Sequence, residues 1–312
     1  MRKIVIYCLL LPGLLSLVCC QGVFGVDTDP EGPTTFTATI GPSPSTSTKT
    51  TLGGSPGGFR EVHWSSGDKV VIGGAEYNLT AGAGTTSGTL TGSGAVLSEG
   101  VYKAYYPADI WTGAGTPPAL LSEQIHHAGG RTDNPPIDNL PMYAQSSGTN
   151  LQFYNLCAVL NLRLRGTGTV AEVKVSSTER WLSGPFAVGG SGTSSDGWYA
   201  QMTGGTGSSK TVSLMCTPGV VLSQTEDADL FIALPEGTYG KGTLTVEVWE
   251  AGAASPLKFY RNDGAPASGS ELKRSSVYHA GGSSSSFDLG LEEVAWDGRL
   301  SATGKDPVQW EP

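Results

Sequence analysis

Few side chains in this 312-residue chain have the type and spacing that catalysis or metal binding requires. The pair His126-His127 could bind a metal, but adjacent side chains on an extended chain point in opposite directions, so we expect a solvated loop here. Neighbouring carboxylates such as Glu292-Glu293 could act as acid and base, although in a chain so rich in glycine and serine we expect them at turns. No Cys-x-x-Cys pair, Gly-x-Ser-x-Gly, His-Glu-x-x-His, phosphate loop or dinucleotide fingerprint occurs. The sequence therefore predicts no enzyme, with no catalytic residue, no metal site and no cofactor.

Two cysteines, Cys157 and Cys216, lie in the body of the chain, each within a strand-like apolar stretch. A disulfide between them is permitted if the protein is exported to an oxidising compartment. Two buried thiols fit equally well, because cysteine packs as a small hydrophobic residue. Both interpretations stay open at this stage.

The N-terminus has the composition of an export signal. A short basic start is followed by the apolar run Ile4 to Val18. At about fifteen residues, this run is shorter than the roughly 20 that a membrane-spanning helix needs. It leads into Cys19-Cys20, which resembles a bacterial lipobox, with Cys19 where glycine, alanine or serine is usual. We therefore expect a lipoprotein signal peptide over residues 1–20, with lipid attached to Cys20.

Composition indicates an all-β protein. Glycine accounts for 45 residues and charged residues for only 15%, while 38% of residues are hydrophobic. The chain is therefore neither a bundle of solvated helices nor disordered throughout. Without residues 1–20 it keeps 17 basic against 28 acidic residues. Because nucleic-acid binding needs clustered lysine and arginine, we expect no nucleic-acid partner.

Short apolar stretches separated by Gly, Ser and Thr predict strands along most of the chain. The first, residues 34–40, places Phe36, Ala38 and Ile40 on one face, as in a half-buried strand. We predict two β-sandwich domains in series, an N-terminal domain over residues 21–147 and a C-terminal domain over residues 148–312.

A low-complexity loop, residues 41–59, follows the first strand and is rich in Pro, Ser, Thr and Gly. Such a loop is exposed and open to proteolysis. Lys49 and Arg60 are the basic residues in or beside it. From composition alone, we favour an uncleaved connection in which the lysine is incidental.

Exposed tryptophans could stack on sugar rings, which makes Trp111, Trp181 and Trp198 candidates for a glycan platform. Tryptophan more often packs in the core or anchors a loop, and we expect that role for all three.

Five segments have an order and spacing, over about residues 34–280, that one known family shares. They are Trp64-Ser65-Ser66-Gly67-Asp68, Ala104-Tyr105-Tyr106-Pro107, Pro141–Ala144 with Leu151–Leu162, Leu182–Phe186 and Ala233–Tyr239. Together they resemble the fimbrillin family, the subunits and anchors of type V pili in Gram-negative anaerobes. The first two correspond to its W-x-x-G-D turn and its A-x-Y-P strand end, and the third to its interdomain junction.

The resemblance implies two transthyretin-like β-sandwich domains, export as a lipoprotein through the periplasm, and polymerisation by strand exchange. In that family a protease removes the lipidated first strand, and a strand of the neighbouring subunit fills the groove by β-augmentation. In this chain the removable strand would insert Phe36, Ala38 and Ile40. Cleavage by a trypsin-like protease would follow Lys49 or Arg60, and the resemblance makes this cleavage the favoured interpretation of the loop.

The donor strand implied by the resemblance lies near the C-terminus, where Phe287, Leu289 and Leu291 alternate. An equally good interpretation is that this strand pairs within its own domain. The expected partners are other fimbrial subunits, of the same or a related kind, the processing protease and the outer membrane through the lipid.

Two classes of function therefore compete. The leading hypothesis is a structural subunit, tip or anchor of a cell-surface fimbria at the outer membrane. The alternative is a monomeric surface lipoprotein that binds a glycan or a host ligand.

Overall fold

The computed structural model describes the following residues: 32–41, 62–113, 115–126, 140–190, 197–226, 228–256, 258–262, 267–274, 277–280, 287–288 and 301–302. All of them belong to one compact unit, Gly32–Pro312. Within these residues every regular element is a β-strand, apart from one 3₁₀ turn at Ala108–Ile110, which confirms the predicted all-β class. No helix among them is long and apolar enough to cross a membrane.

The strands are numbered in chain order. The first half contains β1 Thr35–Ile40, β2 Lys69–Ile72, β3 Ala75–Ala81, β4 Ser87–Gly92, β5 Tyr102–Tyr106, β6 Ala119–Leu120, β7 Glu123–His126, β8 Met142–Ser146 and β9 Asn150–Asn155. The second half begins with β10 Cys157–Arg165, β11 Thr169–Ser177, β12 Gly184–Gly190, β13 Trp198–Met202, β14 Thr211–Val221, β15 Ala228–Pro235 and β16 Gly237–Tyr239. It continues with β17 Leu244–Glu250, β18 Lys258–Arg261, β19 Ser270–Leu272, β20 Val277–Ala280, β21 Phe287–Asp288 and β22 Ser301–Ala302.

Seven strands of the first half close on themselves in the order β1-β4-β3-β2-β5-β8-β9. The closing contact is the pairing of β1 with β9. We expected a β-sandwich here, whereas the strands form a closed barrel. Closure leaves no unpaired edge, which is the usual hazard of an isolated sheet. The predicted boundary between residues 147 and 148 falls in the turn between β8 and β9, and both of these strands belong to the barrel.

The second half forms two five-stranded sheets, with the orders β15-β10-β20-β22, to which β21 adds beside β10, and β18-β17-β11-β14-β7. Smaller sheets of β13-β12-β6 and β16-β19 complete it. The two larger sheets enclose a core of mostly aliphatic side chains, including Leu160, Val173, Leu214 and Ile232.

The pair of strands β10 and β15 separates two hydrophobic cores. Cys157, Val159 and Phe231 belong to the core that fills the barrel. Their neighbours in sequence, such as Leu160 and Ile232, belong to the second core. Because successive side chains of a strand point to opposite faces, a strand buried on both faces must be apolar at every position. This accounts for the continuous apolar run at the start of β10.

Residues 119–126, which we call the crossing segment, connect the sequence of the first half to the sheets of the second. In the crossing segment, β6 pairs antiparallel with β12, and β7 pairs parallel with β14. Gln124 is central to it, because its amide accepts a hydrogen bond from the Ala233 N–H at 2.8 Å and donates one to the Ala233 carbonyl at 2.9 Å. The crossing segment thereby supplies hydrogen-bond partners to the N–H and carbonyl of Ala233 on the outer edge of β15.

Gln124→Ala is expected to lower the free energy of unfolding by about 1–3 kcal/mol, because both backbone groups of the buried residue Ala233 lose their partner. Chemical denaturation measures this loss. Glu123→Ala is the matched control, since the neighbouring side chain on β7 is exposed. Equal stability of the two variants would contradict a bridging role for Gln124.

The structure corrects the expectation for His126. His126 is not in a solvated loop: it is only 6% exposed and ends β7 opposite Cys216 of β14. It is buried because residues 123–126 form an edge strand that pairs with β14.

Cys157 and Cys216 are both buried free thiols, and burial raises the pKa of each, that of Cys216 to about 12. Neither thiol is therefore a thiolate nucleophile at neutral pH.

Candidate functional site

The first strand, β1, is held along both of its edges. It pairs antiparallel with β4, with Phe36 opposite Leu90. On the other edge it pairs parallel with β9, with Ala38 opposite Leu151. The backbone of β1 therefore occupies a slot between β4 and β9, which we call the β1 slot.

The side chains of β1 alternate between the barrel core and solvent. Phe36 and Ala38 are fully buried, and the partly buried Ile40 packs against the same core. The Phe36 ring contacts two tyrosines edge to face, with centroid distances of 5.2 Å to Tyr77 and 5.0 Å to Tyr102. The sequence prediction of a strand with these three residues on one face is confirmed.

Hydrogen bonds continue to both ends of the β1 slot. At the start, the Tyr77 hydroxyl donates to the Pro33 carbonyl at 2.5 Å and accepts from the Ala95 N–H at 3.4 Å. Burial raises the pKa of Tyr77, so the phenol keeps the proton that this bond needs. At the end, the Gly41 N–H donates to the Phe153 carbonyl at 2.7 Å. The strand is thus fixed from Pro33 to Gly41.

The chain leaves the β1 slot at Gly41 and rejoins the barrel at the buried residue Val62. Trp64 follows, and its buried ring packs edge to face on Tyr106 and Phe153, with centroids 5.4 Å and 5.3 Å apart. Cleavage anywhere between Gly41 and Val62 would therefore separate β1 from the barrel covalently while both cut ends stay attached to ordered structure.

The W-x-x-G-D turn supports this re-entry. One Asp68 carboxylate oxygen accepts from the Ser65 N–H at 2.6 Å, and the other accepts from the Tyr106 hydroxyl at 3.0 Å. Gly67 has a φ of +90°, which favours glycine. The motif thus ties the residues after the loop to the aromatic end of β5.

Several predicted site residues lie outside the described residues. These are the lipidation candidate Cys20, the processing candidates Lys49 and Arg60, and two positions of the candidate donor strand, Leu289 and Leu291. The remaining donor position, Phe287, belongs to β21, which pairs parallel with β10 of the same chain. In the described residues this segment is therefore paired within its own half of the chain.

Metal binding and glycan stacking were the other chemistries considered. Among the described residues, no group of three or more His, Cys, Asp or Glu side chains could hold a metal ion. Trp111 and Trp198 are partly buried, and Trp198 packs edge to face on Tyr143 at 5.2 Å. Trp181 differs, because 37% of its surface is exposed.

No protein-family model matches the chain, and no curated protein matches it. Among solved structures, it is similar to a candidate cell adhesion protein from Bacteroides uniformis, at 13% identity and a TM-score of 0.42, covering 81% of this chain and 92% of the other.

Two further candidate cell adhesion proteins are similar to this chain. For the one from Bacteroides ovatus the identity is 15% and the TM-score 0.40, with 81% of this chain and 92% of the other covered. For the one from Bacteroides eggerthii the identity is 15% and the TM-score 0.32, with 79% of this chain and 84% of the other covered. At these identities and TM-scores the likeness assigns neither a shared fold nor a shared function.

Proposed function

We propose that this chain is a structural subunit, or a tip or anchor component, of a cell-surface fimbria, exported as a lipoprotein and assembled by protease-triggered strand exchange. The role is structural rather than enzymatic, and the two halves of the chain correspond to transthyretin-like domains. The coarser form of the proposal is a cell-surface protein with a role in adhesion. The three similar solved structures are described as candidate cell adhesion proteins.

The observation that supports the proposal is the placement of β1. Its side chains fill the core of the barrel and its backbone pairs on both edges. It is the first element of the described chain, and the segment that joins it to β2 contains both basic candidates, Lys49 and Arg60. A single cut there would leave β1 held by non-covalent contacts alone.

An emptied β1 slot would suit an incoming strand of either direction. Because β1 is antiparallel to β4 and parallel to β9, any strand in the slot must be antiparallel to one neighbour and parallel to the other. In either direction, the incoming strand would form one parallel and one antiparallel ladder of hydrogen bonds. Specificity must come from the side chains that replace Phe36, Ala38 and Ile40 in their pockets.

Mild trypsin digestion of the purified protein tests the proposal. We expect one main cut between residues 49 and 60, located by mass spectrometry, followed by multimers that survive SDS when the sample is not boiled. Lys49→Ala and Arg60→Ala are the matched variants, and the double variant should remain uncut and monomeric.

Two outcomes would contradict a shaft subunit. One is resistance of the unaltered protein at both sites, and the other is clean cutting without any assembly. Either result leaves an anchor component or a monomeric surface lipoprotein as the function.

A further inference from the structure

An open cavity of about 410 Å³ lies in the second half of the chain, away from the β1 slot. It is bounded by the turn between β11 and β12 on one side and by β13 on the other. The residues of its lining that carry the argument are Glu179, Arg180, Trp181, Tyr199, Gln201 and Glu236. Its volume is within the range of about 300–1,000 Å³ that small-molecule sites occupy.

Trp181 presents an aromatic surface in this cavity. It is 37% exposed, so part of the indole faces solvent. The indole is nevertheless held in place, because the Lys210 ammonium lies 5.5 Å from its ring centroid and donates to the Thr178 carbonyl. Gly204 also packs closely, since a Cβ there would come within 2.7 Å of the indole Nε1. The exposed surface of Trp181 is therefore preorganised.

The turn that carries Trp181 is fixed by its own hydrogen bonds. The Ser177 hydroxyl accepts from the Arg180 N–H at 3.0 Å and from the Glu179 N–H at 3.3 Å. The Leu182 N–H donates to the Ser209 carbonyl at 2.8 Å. Little conformational freedom is lost when a ligand binds to a turn held in this way, which favours affinity.

Tyr199 forms a second aromatic wall. Its ring lies over Gly189 of the neighbouring strand, where a Cβ would come within 2.4 Å of the ring carbon Cζ. The absence of a side chain at Gly189 thus allows the ring to lie against the sheet. Two aromatic rings in one cavity offer faces of negative potential to polarised C–H groups.

Planar polar groups complete the cavity. The Arg180 guanidinium donates to the Glu236 carbonyl at 2.9 Å and lies 5.4 Å from the Tyr239 ring centroid. The Glu236 carboxylate is 3.5 Å from Arg274 Nε. Amide, carboxylate and guanidinium groups are the donors and acceptors that match vicinal hydroxyls.

The charged groups in and beside the lining favour a neutral ligand over an acidic one. The lining contains two carboxylates, Glu179 and Glu236, against one guanidinium, Arg180. Two further cations lie beside the lining, but Lys210 is engaged with the Thr178 carbonyl and Arg274 with the Glu236 carboxylate. A sulfated or uronic sugar would therefore have to displace these contacts, in a chain whose formal net charge is −9.

We propose that this cavity is a binding site for a neutral saccharide, which stacks the C–H face of one ring on Trp181 and contacts Tyr199, while its hydroxyls bond to the surrounding polar side chains. The site does not overlap the β1 slot, because none of its residues belongs to the barrel strands. A fimbrial subunit and a monomeric lipoprotein could both carry it.

Isothermal titration of the purified full chain, uncleaved, with maltohexaose, cellohexaose and mannohexaose tests the proposal. Heparin and polygalacturonate serve as acidic probes. We expect at least one neutral oligosaccharide to bind, Trp181→Ala to weaken its affinity at least about tenfold, and Trp181→Phe to restore most of it.

Trp249→Ala is the matched control, because Trp249 also lies beneath a lysine ammonium, with Lys174 Nζ 4.6 Å from its ring, but does not line the cavity. This variant should bind as the unaltered chain does, and circular dichroism should show all variants folded. Absence of binding to every neutral probe, binding of the acidic probes alone, or an equal loss in Trp181→Ala and Trp249→Ala would overturn the proposal.

Discussion

Phe36→Ala is expected to lower the free energy of unfolding by about 3–5 kcal/mol, the usual cost of truncating a fully buried phenylalanine. The side chain is 0% exposed and contacts the rings of Tyr77 and Tyr102 edge to face. The barrel cannot collapse around the vacated space without moving β1, whose backbone is paired on both edges. Urea denaturation followed by tyrosine and tryptophan fluorescence measures the loss.

The control is Thr37→Ala, one residue away on the exposed face of the same strand. Because surface substitutions usually change stability by less than about 0.5 kcal/mol, the two variants should differ severalfold in their effect. A loss for Phe36→Ala no larger than that for Thr37→Ala would mean that β1 does not contribute to the barrel core.

The sequence was sufficient to predict β1 but not its neighbours. Alternation at Phe36, Ala38 and Ile40 fixes the buried face, because a strand has a side-chain period of two. The pairing with β9 joins Ala38 to Leu151, far along the chain. No local pattern encodes such a partner, and closure of the barrel by a parallel pair was therefore not predicted.

The crossing segment shows a different limit of sequence reasoning. Its strands are two and four residues long, too short for a periodicity to be recognised. Gln124 acts through the backbone of Ala233, 109 positions later. A glutamine that bonds to a distant backbone has no signature of its own, and for that reason only a solvated loop was expected at the end of this segment, around His126.

The cavity at Trp181 was only partly foreseeable. Trp181 was one of three tryptophans considered for stacking, and composition cannot distinguish an exposed indole from one that packs in the core. The distinction depends on Gly204, Gly189 and Lys210, which position the two aromatic rings through close packing and a cation–π contact. These residues come from separate strands and turns.

Protein that has been cut between Gly41 and Val62 is expected to exchange β1 for a labelled peptide of residues 32–41. The peptide carries the same ladder groups and the same Phe36 side chain, so it competes for the β1 slot on equal terms. Fluorescence polarisation after removal of free peptide measures uptake. Uncut protein, in which β1 is held covalently, should take up little peptide over the same period.

Two variants of this peptide, each with one substitution, test whether the side chains that enter the pockets control this exchange. Phe36→Asp would place a carboxylate against Tyr77 and Tyr102 without a cationic partner in the described core. Because burial of an unpaired charge costs several kcal/mol, we expect uptake to fall by about 100-fold or more. Thr37→Asp adds the same charge on the solvent face of β1, so that peptide should enter nearly as well as the unaltered one. Equal uptake of both variants would show that the β1 slot does not select strands by their alternate side chains, and a mechanism of assembly that depends on such selection would have to be abandoned.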